Sequence, residues 1–230
     1  MSTGLLDGRV ALVLGRDEIG TGIARRFERE GARVLSGDAS GPAQVMAQAG
    51  RLDVLVCNLL PPSAARGLTE TDDQAISESL RSITATVAAM RTALPHLRES
   101  GRGRIVLVGH RYGESVNEAL GAYNVAAWGL VGLARSAAVE WGQYQITTNV
   151  LLPLARTAEF ESARARRTAL VDRLVEQLPL RRVGDPEEDV GGAAALLASD
   201  LMCFVNGEVL HADGGLHVAG PVLNPARFAP

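Results

Sequence analysis

Strand, helix, strand is the order of the first 38 residues. "RVALVLG" (9–15) is a short valine- and leucine-rich run between Gly8 and Gly15, and it reads as a strand buried on both faces. Ile19, Ile23 and Phe27 then fall four apart, with Arg25, Arg26 and Glu30 on other faces, which is the spacing of a half-buried helix. Gly31 ends that helix, and "ARVLSGD" (32–38) is a second strand. The alternation continues. Strands are expected at 51–60, 103–109, 147–153 and 208–215. Helices are expected from 69, running on or restarting through the segment before "SGRG", then at 123–141, 155–177 and 185–199. Strands alternating with helices demand a parallel sheet with helices on both faces.

At 230 residues with 47% hydrophobic content, the chain can bury one sizeable core. A net charge of −3 gives no reason to expect nucleic acid as a partner. Every basic residue is arginine, so the chain cannot supply a lysine amine. Cys57 and Cys203 sit in apolar contexts and make no disulfide framework, which suits a reducing cytoplasm. The start has no secretory pattern, and no apolar run reaches the length needed to span a membrane. "HADGGLH" (211–217) places its histidines at no helix-face spacing, so no metal site is expected.

Several segments then combine: Gly15 and Gly20, "LDVLVCN" (52–58), "GRIVLVG" (103–109), "AYNVAAWGLVGLARSAAVEWG" (122–142), "TTNVLLP" (147–153) and the stretch 184–215. In order and spacing they resemble the short-chain dehydrogenase/reductase (SDR) family over nearly the whole chain. The resemblance implies a Rossmann-like doubly wound parallel sheet in one domain, residues 1–220, with 221–230 as a C-terminal tail. Between Asp38 and Asp53 there is room for one short helix only, so the family's third strand is expected to be missing, leaving six.

The family's active site is an Asn-Ser-Tyr-Lys set. By position, Tyr123 matches the tyrosine, while His110, Ala127 and Ser82 stand at the serine, lysine and asparagine positions. An unassisted phenol titrates near 10, so little phenolate exists at neutral pH. A neighbouring positive charge would lower that value, and His110 is the candidate to supply it or to act as base itself. Arg111 and Tyr112 flank it. The alternative is that Tyr123 and His110 only fill an unused site.

The cofactor half also departs from the family. The turn "LGRDEIGTG" (14–22) keeps Gly15 and Gly20 but puts Asp17 and Glu18 where a pyrophosphate would lie, and two carboxylates there are repulsive. Asn58 alone remains of the family's "NNAG", and "PL" (153–154) stands for its "PG". Asp38 is placed to hold a ribose 2′-hydroxyl, which would favour NAD. Arg156, Arg164, Arg166 and Arg167 lie where the family builds a substrate lid, as an anion grip or as a solvated helix face.

These departures lead to an expectation of a chain that binds no cofactor, or NAD if any. It would be a pseudoenzyme subunit supporting an SDR oligomer, homomeric or paired with an active dehydrogenase subunit through the 123–141 helix. Two alternatives stay open. One is a non-redox enzyme (elimination, isomerisation or cyclisation) acting on a small molecule through Tyr123 and His110. The other is an atypical NAD-dependent oxidoreductase.

Overall fold

The apolar runs before Gly15, Asn58, Gly109 and Leu154 become strands with side chains buried to both sides. The computed structural model describes residues 4–38, 50–60, 67–110 and 120–219. Six strands lie in one sheet: β1 (Val10–Leu14), β2 (Arg33–Gly37), β3 (Val54–Cys57), β4 (Arg104–Val108), β5 (Thr147–Pro153) and β6 (Val209–Ala212). All pairings are parallel and the order is β2-β1-β3-β4-β5-β6. This is the six-stranded Rossmann-like sheet expected from the sequence. The tail 221–230 and the segment between Asp38 and Gly50 lie outside the described residues.

Alternation along each strand builds two apolar layers. Ala11, Val13, Val54, Val56, Val106 and Val108 face α1 (Glu18–Arg29) through Ile23 and Phe27. Leu12, Leu14, Leu55, Ile105, Leu107 and Leu152 face the other way, against Met90 and Leu97 of α2 (Asp73–Ser100) and Leu130 and Ala134 of α3 (Gly121–Trp141). The helix expected from residue 69 begins later, because Asp72 is its N-cap and accepts from the Ala75 N–H at 2.8 Å. It then runs on unbroken for 28 residues, with Pro95 inside it.

The stretch 155–177 is two helices, α4 (Ala158–Arg166) and α5 (Thr168–Gln177), parted by Arg167, whose φ of −141° is not helical. The helix expected over 185–199 opens as a π-helical turn, Pro186–Gly191, and continues as α6 (Gly192–Ala198). That opening packs directly on α1. A Cβ at Gly22 of α1 would lie 2.5 Å from the Pro186 carbonyl carbon, so the two segments touch backbone to backbone.

The end of the sheet where the strands begin carries charge. Buried Arg9 and Arg104 both pair with Asp200, and Arg104 Nη2 stands 3.3 Å from that carboxylate. Burial pushes both guanidiniums below their ordinary pKa, while Asp200 opposes the shift. The opposite end, where the strands finish, is left for the site. Among the described residues no helix is long and apolar enough to cross a membrane.

Candidate active site at the carboxyl ends of the strands

Strand order reverses at β1, which lies between β2 and β3. In an open parallel sheet that reversal opens a crevice beyond the carboxyl ends of the strands. Gly15 follows β1, Asp38 follows β2, Asn58 follows β3 and His110 follows β4 by one residue, so topology alone brings four candidate residues to this edge.

The β1–α1 connection requires its glycines. Gly15 has φ +116°, and a Cβ there would lie 2.3 Å from the Asn58 carbonyl oxygen. A Cβ at Gly20 would lie 2.1 Å from the Gly15 carbonyl oxygen. Gly15 N–H donates to the Gly37 carbonyl at 3.1 Å, which ties the connection to the end of β2. Asp38, the next residue on, is exposed.

Asp17 is the N-cap of α1. Its Oδ1 accepts from the Gly20 N–H at 2.8 Å and from Asn58 Nδ2 at 2.6 Å. Glu18 turns elsewhere, and its Oε1 accepts from the Ala158 N–H at the start of α4, at 3.0 Å. Both carboxylates therefore have hydrogen-bonding roles beyond the repulsion expected from the sequence. The signal was present: an aspartate directly before a helical pattern is a capping residue. Beside this connection lies a cleft of about 580 Å³ whose walls include Arg16, Arg25 and Arg156.

On the substrate side, His110 and Tyr123 meet edge to face, with ring centroids 5.7 Å apart and planes at 88°. Tyr123 is buried in an apolar group with Leu120, Ala127 and Leu60. Ala127 therefore offers that pocket a methyl group and no charge. Ser82 does not join them through its hydroxyl, which donates to the Ser79 carbonyl of its own helix at 2.7 Å. Asn124 is a residue that the sequence argument did not single out. It is buried beside Tyr123 in sequence, and its Oδ1 has no hydrogen-bond partner among the described residues. Arg111 and Tyr112 lie outside the described residues.

Of the lid arginines, Arg164 pairs with Asp172 of α5 at 2.9 Å on an exposed surface, which suits the solvated-face alternative. At the far end of the sheet, Asp213 accepts from His217 Nδ1 at 3.0 Å, and the His211 and His217 rings stack at 3.9 Å. Among the described residues no group of three or more His, Cys, Asp or Glu is arranged to hold a metal ion.

Residues 39–217 match the family described as enoyl-(acyl carrier protein) reductase. The chain belongs to the short-chain dehydrogenase/reductase family. It is 29% identical to a 12α-hydroxysteroid dehydrogenase of a Clostridium species, covering 93% of this chain and 98% of that one. It is 31% identical to the oxidoreductase UcpA of Escherichia coli O157:H7, covering 92% and 95%. Among solved SDR structures, a 3-oxoacyl (acyl-carrier-protein) reductase of Agrobacterium tumefaciens with NADP bound superposes with a TM-score of 0.79. It shares 26% identity over 91% of this chain and 94% of that one.

These SDR relatives correct the expectation of a pseudoenzyme subunit, and with it that of a non-redox enzyme. They are named as dehydrogenases and reductases, and one of them holds NADP. The expectation of no cofactor falls on the same ground. Its weakness was physical as well as comparative. The glycines at 15 and 20, the reversal of strand order at β1 and the buried Tyr123 ring remain beside the substituted positions.

A nicotinamide dinucleotide, which the family implies, fits the frame of this site. Gly15 and Gly20 close the tight β1–α1 connection at the switch point, and Asn58 and Asp38 stand at the ends of β3 and β2. At Asp17 the fit is conditional, because its carboxylate holds the helix N–H that a pyrophosphate would use.

Proposed function

We propose that the chain is an oxidoreductase that uses a nicotinamide dinucleotide to interconvert a secondary alcohol and a ketone, with Tyr123 and His110 handling the proton. The observation that carries this reading is the edge-to-face contact of His110 on the buried Tyr123 ring at the end of β4. The bound dinucleotide supplies or accepts the hydride at the substrate carbon. The chain's own groups serve the oxygen. The Tyr123 hydroxyl exchanges a proton with it, and a protonated imidazole alongside would favour the phenolate in place of the absent lysine. Leu60, Leu120 and Ala127 keep water off the ring. Asp38, following β2, favours a free ribose 2′-hydroxyl over a 2′-phosphate, so the cofactor is assigned as NAD.

The same reading includes an oligomer. Val125, Trp128 and Val139 of α3 are exposed along one side of the helix, with open space above Gly132 between them. An apolar stripe of this kind suits a second copy of the helix. The two free cysteines, Cys57 buried and Cys203 exposed, support a reducing compartment such as the cytoplasm.

The test is hydride transfer followed at the nicotinamide absorbance, with hydroxysteroids, sugar acids and 3-oxoacyl thioesters offered as substrates. Turnover is expected with NADH. Tyr123→Phe is expected to lower kcat by about 10²–10⁴-fold with the Kd for NADH unchanged. Turnover unaffected by Tyr123→Phe would remove the phenol from the mechanism. Stronger binding of NADPH than of NADH would remove the role given to Asp38.

A further inference from the structure

The helix that should receive a pyrophosphate already holds an anion, and that anion belongs to the chain. Asp17 Oδ1 takes the Gly20 N–H of α1 and the Asn58 side-chain amide together, at 2.8 and 2.6 Å. Both donors lie at the tight β1–α1 connection, where Gly15 has φ +116° and the backbone of Asn58 and of Gly15 fills the space a Cβ would take at residues 15 and 20. A carboxylate oxygen held by two N–H donors at a helix N-terminus has the charge and hydrogen bonding of a bound phosphate oxygen. Glu18 does not share this position, because its carboxylate is committed to the Ala158 N–H. The cleft alongside is lined by Arg16, Arg25 and Arg156 and also by Glu18, Asp185 and Glu187, so its arginines and its carboxylates act oppositely on a phosphate that takes over.

We propose that Asp17 is a built-in occupant of the phosphate position on α1, which an incoming dinucleotide must displace. This rests on the cofactor reading above. It makes Asp17 the residue that sets cofactor affinity: the ground state of the free protein is stabilised by the contact that the cofactor must replace. The exchange is like for like in hydrogen bonds, so the cofactor gains only what its remaining contacts supply.

The experiment is calorimetric titration of the full chain with NADH and, separately, with inorganic pyrophosphate. Wild type is compared with Asp17→Ser, Asp17→Asn and Asp72→Ser. Serine keeps a capping oxygen, and asparagine keeps an acceptor without the charge, so α1 retains its cap in both. Asp72 caps α2 in the same way and serves as the control. Asp17→Ser and Asp17→Asn are expected to bind both probes at least tenfold more tightly than wild type, with Asp72→Ser unchanged. Equal affinities in wild type and both Asp17 variants, for both probes, would overturn the proposal. A gain for pyrophosphate with no NADH binding in any variant would uphold the Asp17 occupant and overturn the dinucleotide reading. Tight NADH binding that is indifferent to residue 17 would do the reverse.

Discussion

At the scale of single residues, burial decides chemistry that composition leaves open. Cys57 ends β3 one residue before Asn58, close to the site, yet its thiol is fully buried, and burial pushes its pKa up to about 12. Cys203 is exposed. Iodoacetamide at pH 8 is therefore expected to add one label to the folded protein, at Cys203, and two after unfolding, as read by mass spectrometry. A second label on the folded chain would mean that β3 opens at its carboxyl end. Gly15 and Asn58 lie at the carboxyl ends of β1 and β3, where the resemblance put them, although the glycine turn itself departs from the family's pattern. The partner given to Tyr123 was legible too, since His110 does lie against its ring. Asp17 was legible only in part. Its place directly before a helical pattern marks it as a cap, but its second bond, from Asn58 Nδ2, joins residues 41 positions apart and has no local pattern.

Elements that cross the core announced themselves through short apolar runs, even where, as in β5, buried Thr147, Thr148 and Asn149 precede the run. β5 is found at the expected residues, 147–153. Elements whose shape depends on a partner were less legible. The π-helical turn at Pro186–Gly191 answers to Gly22 of α1, some 160 residues away in the chain, and no local pattern encodes that contact. The same turn is held from below by Asp189. Its carboxylate takes two bonds from Arg182, at 2.5 and 2.7 Å, and the Asp185 N–H at 2.6 Å. The Arg182 hydrogen bonds lower its pKa from the ordinary 3.8 to about 2, with partial burial opposing. A carboxylate whose folded-state pKa is depressed contributes stability that is complete above its unfolded value and is lost as pH falls through the folded one. The Tm of Asp189→Asn is accordingly expected to lie below that of wild type at pH 7, with the gap closing between about pH 4 and pH 2. A gap that stays constant across that range would assign the loss to packing.

For the whole molecule, the doubly wound parallel sheet of six strands was legible from the alternation of strands and helices, while its order, β2-β1-β3-β4-β5-β6, is added by the structure. The stripe of Val125, Trp128 and Val139 stands on the outside of the α3 layer, so a charge placed there leaves the core intact. Trp128→Glu is expected to convert an oligomer to a monomer in light scattering, with little change in the far-ultraviolet circular dichroism. An unchanged mass would mean that the helix faces solvent in solution.

The strand order has a consequence for how the chain is made. After β2, each new strand joins the same growing edge: β3 beside β1, then β4, β5 and β6, each against the one before. A chain leaving the ribosome can therefore enlarge its sheet strand by strand in the order of synthesis, without opening a pairing already made. The Arg9–Asp200 contact joins the first strand's entrance to a residue 191 positions later, so, like the packing of α1 on Pro186, it waits until that later stretch has been made. Such contacts are clasps fastened across a sheet laid down in sequence.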